Sequence, residues 1–433
     1  MTRKVVLATV GSLGDLHPFI ALAVALRDRG VTVSLACAAE YQDKVEAAGI
    51  AFHALRPGFD EVERDLGMDR AELTRRVVAD SKFLFREVVL PYVRAGYEDM
   101  LQITAGADLI LPSSLAFAAR LAAETRGIPW MAVVLQPMMF LSAYDPPVIA
   151  EAEWLSALLR ALGPALARPA LWVVKKAVNH VLRPVHALRA DLGLAPTQKN
   201  PLFDGQFAAA GAIGLYSRLL GEVQPDYPRP ASIAGFATFD SEDGRNAGPD
   251  PALEAFLEDG PAPLVFTLGS VIVNNPGRFY QQGLLAAQIL GKRAVLLVGE
   301  AAYETVARLS SAEVFVCAYA PHSALFPRAA AIIHHGGIGT LAQALRSGRP
   351  QLIVPHFADQ LDNAARAQRL GVARVLPPRR YGGRAASREL RRLLTDEPLL
   401  ARARRAGETV SAENGAAQAA RIVLDTLEDL RRE

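Results

Sequence analysis

Residues 332–364, IIHHGGIGTLAQALRSGRPQLIVPHFADQLDNA, place two adjacent histidines, three glycines and an Asp-Gln pair between apolar runs. The first part reads as strand, Gly-rich turn, then helix. Glycines let a backbone approach a ligand closely. A helix start near Gly339–Thr340 offers free N–H groups and a positive dipole end. With the Thr340 hydroxyl and one histidine N–H, these groups make a cradle for an anion. No Gly-Lys-Ser/Thr follows, so this is not a Walker loop, and Gly336, Gly337 and Gly339 miss the G-x-G-x-x-G spacing. A metal site is a second reading, because four of the eight histidines (His322, His334, His335, His356) fall in this region. Neighbours on a strand point to opposite faces, however, and no His-x-x-x-His or Cys pair is near, so no metal is expected. A Gly-rich turn with one capping histidine is the bland alternative. The second part, PHFADQ, sets Asp359 and Gln360 at another helix start. There the Asp also suits an N-cap, while a carboxylate beside an amide suits adjacent sugar hydroxyls.

These residues need strand ends to hold them, and the chain supplies two sets. Runs at 4–10, 31–38, 50–55, 107–114 and 130–136 alternate with helical patterns, including a helix at 18–30 with Pro18 in its first turn and Gly30 at its end. The alternation restarts at 263–270, 293–299, 314–320, 330–335, 350–355 and 373–377. The expected class is α/β, with two Rossmann-like doubly wound domains facing a central cleft and ligands at the carboxyl ends of strands. The expected boundaries are a 1–230 domain, a 231–250 linker with a short strand at 232–236, a 251–412 domain and a 413–433 helix that packs back on the first. Residues 154–190 differ: they are helical, apolar and studded with Arg160, Arg168, Lys175, Lys176, Arg183 and Arg189, with breaks expected at Pro164, Pro169 and Pro184.

The 433 residues exceed one ordinary core. A composition of 51% hydrophobic and 21% charged residues is that of a globular protein, and a net charge of +2 argues against a nucleic-acid partner. Cys37 and Cys317 sit in apolar runs and read as buried thiols of a reducing compartment. No signal-peptide pattern and no apolar run of membrane-spanning length is present, so a cytoplasmic protein is expected, with peripheral contact at the inner membrane face as an option.

The segment 319–373, YAPHSALFPRAAAIIHHGGIGTLAQALRSGRPQLIVPHFADQLDNAARAQRLGVA, resembles the signature region of family 1 glycosyltransferases of the GT-B fold. The bacterial branch is the nearer match: antibiotic glycosyltransferases, sterol glucosyltransferases and the rhamnosyltransferases of rhamnolipid synthesis. GSLGDLHPFIALAVALRDRGVTVSLA and GIPWMAVVLQPMMFLSAYDPPV extend the resemblance over most of the chain. It implies a C-terminal domain that binds a UDP- or dTDP-sugar. His335, Gly337, Gly339, Thr340 and Ser270 match the diphosphate site, and Asp359 and Gln360 match the sugar grip. Tyr319 stands where relatives stack on the base, and the Ala320 backbone where they pair with its edge. His322 replaces a usual Gln and Gln343 a Glu of plant relatives, both at nucleoside positions.

Many relatives carry a histidine base after the first strand. Here Asp15 takes that position and His17 follows, so Asp15 is the expected base, with His17 the alternative; Ser12 and Gly14 are placed to reach donor phosphates. The bland reading of Asp15 is an N-cap, and Asp108 is a candidate to orient His17. The implied activity is an inverting, metal-independent hexosyl or deoxyhexosyl transfer, with no cofactor, to a hydrophobic small-molecule or lipid acceptor walled by 154–190. The enzyme is expected as a monomer or homodimer. A nucleotide-sugar epimerase and a non-catalytic partner of the same fold are the alternatives.

Overall fold

The computed structural model describes residues 3–149, 153–240 and 250–432. It divides into two compact units, one of residues 1–69, 79–239 and 414–433 and one of residues 70–78 and 240–413.

The first unit is built on short, largely apolar strands, buried at the centre of the sheet and more exposed at the β3 edge. β1 (Lys4–Ala8), β2 (Thr32–Cys37), β3 (Ala51–Ala54) and β4 (Leu109–Pro112) form a parallel sheet ordered β3-β2-β1-β4. β5 (Ala132–Val134), β6 (Ala212–Gly214) and β7 (Ala231–Ile233) extend it in parallel, because the bridges Ile110–Trp130 and Ser113–Val133 join β4 to β5. Strand β6 had no signal in the sequence pattern: three residues with one glycine are too short for periodicity to register. β7 and the chain up to Phe239 belong to the first unit, so residues expected as linker from 231 are sheet edge instead. Positions 241–249 of that linker lie outside the described residues. Helix Gly415–Asp429 returns to the first unit and packs on helix Leu13–Arg27.

The second unit repeats the scheme. β8 (Leu264–Thr267), β9 (Ala294–Leu297), β10 (Val314–Cys317), β11 (Ala331–His334), β12 (Gln351–Ile353) and β13 (Ala373–Val375) form one parallel sheet, ordered β10-β9-β8-β11-β12-β13. The order reverses between β8 and β11, the switch point where open sheets bind ligands. Phe266, Leu296, Ile333 and Leu352 fill one face of this sheet with no exposure. Cys37 and Cys317 end β2 and β10 as buried thiols, and burial pushes the Cys37 thiol up to about 12.

Two prolines fall differently from expectation. The first helix runs Leu13–Arg27, so Pro18 lies inside it rather than in its opening turn, and the Gly14 carbonyl loses the N–H it would have accepted. Pro169 likewise lies inside helix Pro164–Val181 and does not break it, whereas Pro164 opens that helix and Pro184 lies at the start of Arg183–Asp191. Both interior prolines are six residues into their helices, so each removes one of the early turn bonds without ending the helix.

Candidate functional site

In the second unit the loops after β8, β10, β11 and β12, with the helices that start from them, carry the expected donor residues other than Ser12 and Gly14. β11 ends at His334, so the next residue is free of the strand's alternation. His334 is fully buried, and Gly336 N–H donates to its Nδ1 at 3.1 Å. That bond requires the proton to sit on Nε2, which donates to Gln351 Oε1 at 3.0 Å. His334 therefore fastens the loop to β12.

His335 is held otherwise. A Cβ on Gly337 would lie 2.3 Å from His335 Nε2, and one on Gly269 would lie 2.5 Å from its Cε1. The imidazole thus fits between the β8 and β11 loops only because both positions are glycine, and Gly269 also has φ +66°. Its Nδ1 is buried without a partner. Burial, then the neighbouring His334, His356 and His322, push its pKa well below the ordinary histidine value, so at neutral pH the ring is an uncharged N–H donor.

Helix Ile338–Arg346 begins at once, with Gly337 as N-cap and no side chain capping it. Leu341 N–H already bonds the Gly337 carbonyl at 2.9 Å, so the unbonded donors are those before it, of Ile338, Gly339 and Thr340. Gln343, one turn further, is 7% exposed and its Oε1 has no partner. Ser270 is exposed in the short turn after β8.

At the β12 end, Ala358 has φ +53°, a strained conformation for alanine that presents the next residue. Asp359 does not cap helix Gln360–Leu370 with its side chain. Its carboxylate instead accepts from Asn363 Nδ2 at 2.7 Å, and the same Asn363 amide donates to Gly336 O at 3.0 Å. Gln360 Oε1 accepts from the N–H of His356 and of Phe357, at 2.9 and 3.3 Å. The Gln360 carbonyl is therefore used within its own loop, and the amide N–H groups are what it can offer a ligand.

At the β10 end, His322 stacks on Phe326 with ring centroids 4.3 Å apart, and burial lowers its pKa. Asp240 holds this loop: it accepts from Tyr319 OH at 3.3 Å, from His322 N–H at 3.2 Å and from Ser323 N–H at 2.5 Å. Ala320 is 2% exposed. Asp240 and Asn363 went unread in the sequence. Asn363 stands one helical turn from Asp359, a spacing that could have flagged it. Asp240 is 79 positions from Tyr319, and no local pattern joins them.

In the first unit, Ser12 and not Asp15 stands at the N-cap of helix Leu13–Arg27. Asp15 Oδ2 accepts from Ser12 N–H at 2.8 Å and from Ser12 Oγ at 3.2 Å. Gly11, at φ +144°, makes room: a Cβ there would fall 2.2 Å from Asp15 Oδ2. Burial raises the Asp15 carboxyl to about 6 even though the Ser12 bonds pull the other way. Part of the residue still reaches solvent. Gly14 is open on its Cβ side except for Ser12 Oγ at 3.6 Å. The His17 ring lies 5.6 Å from that of Phe239. Asp108 cannot orient His17. It precedes β4 and accepts from Lys4 N–H at 2.7 Å, and the parallel pairing of β1 with β4 puts it at the opposite end of the strands from the Asp15 loop.

Among the described residues no group of three or more His, Cys, Asp or Glu is arranged to hold a metal ion. No described helix is long and apolar enough to cross a membrane.

Two parallel sheets, each with polar loops at its carboxyl edge, define the class, and solved structures share the fold. The glycotransferase of kitacinnamycin superposes with TM-score 0.72 at 20% identity, covering 99% of this chain and 100% of that one. VinC in complex with dTDP gives 0.68 at 18% identity, covering 98% and 100%. These are GT-B glycosyltransferases. The glycosyltransferase family 28 N-terminal domain matches residues 5–144, and the erythromycin biosynthesis protein CIII-like C-terminal domain matches residues 285–428. O-mycaminosyltylonolide 6-deoxyallosyltransferase of Streptomyces fradiae is 31% identical over 437 aligned residues, 97% of this chain and 96% of that enzyme. Vancomycin aglycone glucosyltransferase of Amycolatopsis orientalis is 28% identical, covering 98% of each. Sterol 3-beta-glucosyltransferase of Yarrowia lipolytica is 26% identical over 98% of this chain, which spans 29% of that longer protein. The chain belongs to the family 1 glycosyltransferases of the GT-B fold, and it is an enzyme of sugar transfer from a nucleotide-sugar.

Proposed function

We propose that the enzyme moves a hexose or deoxyhexose, with inversion and without a metal or other cofactor, from a UDP- or dTDP-sugar to a hydroxyl of a hydrophobic small molecule or lipid. The observation that carries this is His335: an uncharged imidazole wedged between Gly269 and Gly337, with a buried Nδ1 lacking a partner, beside an uncapped helix start. Such a set neutralises a diphosphate by N–H donation. As the C1–O bond to the diphosphate breaks, negative charge grows on the leaving oxygen, and His335 with the N–H groups of Ile338, Gly339 and Thr340 stabilises it. Asp359 accepts from, and the Gln360 amide donates to, hydroxyls of the donor sugar. The loop of Tyr319, Ala320 and His322 receives the nucleoside, with Gln343 near the ribose.

The second half of the chemistry belongs to the first unit, which receives the acceptor. The acceptor oxygen forms the new C1–O bond on the face opposite the leaving group, and its proton passes to Asp15. A carboxyl raised to about 6 is a stronger base than an ordinary aspartate and is still ionised at neutral pH. The deoxysugar named in the Streptomyces fradiae relative and the dTDP in VinC favour testing a dTDP-deoxyhexose first.

The test has two parts. Titration calorimetry with UDP and dTDP should show tight binding of one, weakened at least ~10-fold in His335→Ala, with kcat/KM reduced by about 10²–10³. Transfer assayed in excess EDTA should persist, and proton NMR should show the product anomer opposite to the donor's. Loss of transfer in EDTA with recovery on adding Mg²⁺, or retention at the anomeric centre, rejects the mechanism.

A further inference from the structure

Helices Glu153–Leu162 and Pro164–Val181 form a hairpin in the first unit that turns an apolar surface outward. Trp154, Leu158 and Leu162 repeat at four-residue spacing on the first helix and are 70%, 43% and 49% exposed. Leu166, Trp172 and Val173 on the second are 52%, 59% and 60% exposed, while Ala167 and Leu171 on its other side are buried. A surface helix ordinarily buries its apolar stripe and shows water a polar one. Here the outward stripe is apolar too, and its contiguity marks a contact surface rather than scattered exposure.

Charge says what it contacts. Residues 154–190 contain no Asp or Glu and six Arg or Lys. Lys175 lies 3.6 Å from Asp204, and Arg189 bonds Glu124. For Arg160, Arg168, Lys176 and Arg183 no carboxylate partner is found among the described residues. Arg168 instead donates to Tyr144 OH at 3.0 Å, and Lys176 lies over the Trp172 ring at 5.4 Å from its centroid. Cations beside exposed indole and leucine side chains match a surface that is apolar within and anionic at its boundary. A second copy of this chain meeting the same face about a twofold axis would set these cations against each other with Glu153, at the start of the hairpin, as the one acid to offset them.

We propose that the 153–181 hairpin, with Arg183 at the start of the next helix, docks the enzyme on anionic lipid membranes, with Trp154 and Trp172 entering the interface and Arg168, Lys176 and Arg183 meeting lipid phosphates. The helices lie in the surface plane, since none is long and apolar enough to span. Docking of this kind brings the first unit to a phase in which lipid-like acceptors concentrate, but it does not depend on the assignment of donor or base.

Flotation of the full chain with vesicles of phosphatidylcholine containing about a third phosphatidylglycerol, against pure phosphatidylcholine vesicles, tests it without any substrate. The expected result is co-flotation with the anionic vesicles only, reduced at least ~10-fold in Trp172→Glu and in Lys176→Glu/Arg183→Glu. Two of the three tryptophans lie on this face, so brominated lipid should quench the protein's emission, and less so in Trp154→Ser. All substituted positions are exposed, and an unchanged thermal midpoint confirms that each variant folds. Absence of flotation, or equal flotation by wild type and variants, overturns the proposal. So does sedimentation as a dimer that Trp172→Glu dissociates, or variants that lose transfer to a water-soluble acceptor with no vesicle binding by wild type. Those outcomes assign the face to self-association or to the acceptor.

Discussion

Asp15 and His335 are both titratable groups displaced by burial, but toward opposite uses. Burial raises Asp15 to about 6, so the carboxylate is a better proton acceptor than its residue type suggests, while His335 is kept uncharged and offers one N–H donor. Asp15→Asn removes the acceptor and should lower kcat by about 10²–10⁴ while leaving nucleotide affinity unchanged by calorimetry. In the wild type, kcat/KM should fall below pH about 6 as Asp15 takes up its proton. The same group makes a stability prediction. Its folded pKa lies above the unfolded 3.8, so the folded state binds the extra proton between those values; this contribution is complete below pH 3.8 and is lost as pH rises through about 6. Asp15→Asn should therefore raise the unfolding free energy at pH 8, by an amount on the order of 2 kcal/mol in denaturant titration, and leave it unchanged at pH 4.

Elements place these residues through close approaches. Gly337 has φ −60°, a value any residue adopts, so Gly337→Ala meets no backbone strain, yet its Cβ would fall 2.3 Å from His335 Nε2. The variant should fold with a midpoint near wild type and bind nucleotide at least ~10-fold more weakly, by calorimetry; a comparable affinity would show that the ring can move aside. Helix Gln360–Leu370, which starts at the Asp359–Gln360 pair proposed to hold the donor sugar, is braced within by the buried ion pair Asp362–Arg366 at 2.6 Å. Arg366→Met leaves Asp362 buried without its cation and should cost about 3 kcal/mol in denaturant unfolding, whereas Asp362→Leu combined with Arg366→Met should recover most of it. At this scale much was legible in advance. The parallel strands announced themselves as apolar runs, and the glycine-rich turn fixed the start of helix Ile338–Arg346 to within two residues. The start of helix Leu13–Arg27 was not legible, because Pro18 is usually an opening signal and here sits a turn and a half inside.

For the whole molecule, the buried histidines and Asp15 respond to acid with opposite signs. His334 and His356 are lowered to about 4 and His335 well below its ordinary value, all by burial first. Folded pKa values below the unfolded 6.5 mean that the unfolded chain binds more protons, so this stability is fully present above pH 6.5 and is lost as pH falls toward 4. With His322, also lowered by burial, the second unit has four such groups, and His53 and His186 in the first act in the same direction, so together they outweigh the single opposed contribution of Asp15. Thermal midpoints should therefore fall steadily from pH 7 to pH 5, and His356→Leu should flatten that slope. An unchanged slope would mean that His356 is not kept neutral by the fold.

Composition and pattern alone determined an α/β chain with two doubly wound units and the loops that carry its polar residues, and the 319–373 segment carried the resemblance to its family. Strand ends and glycine turns are local features, written in consecutive residues. The tertiary structure decided what each of those residues is free to do. Asp359 is engaged by Asn363 rather than by its own helix start, Asp108 is removed from the Asp15 loop by parallel pairing, and Asp240 holds a loop 79 residues away. The difference between His334 and His335 is of the same kind. They are adjacent in sequence, and only tertiary packing bonds the first to Gln351 as a fastening and wedges the second between Gly269 and Gly337. Burial and hydrogen-bond partners depend on atoms brought from distant sequence positions, and no spacing within a segment encodes them.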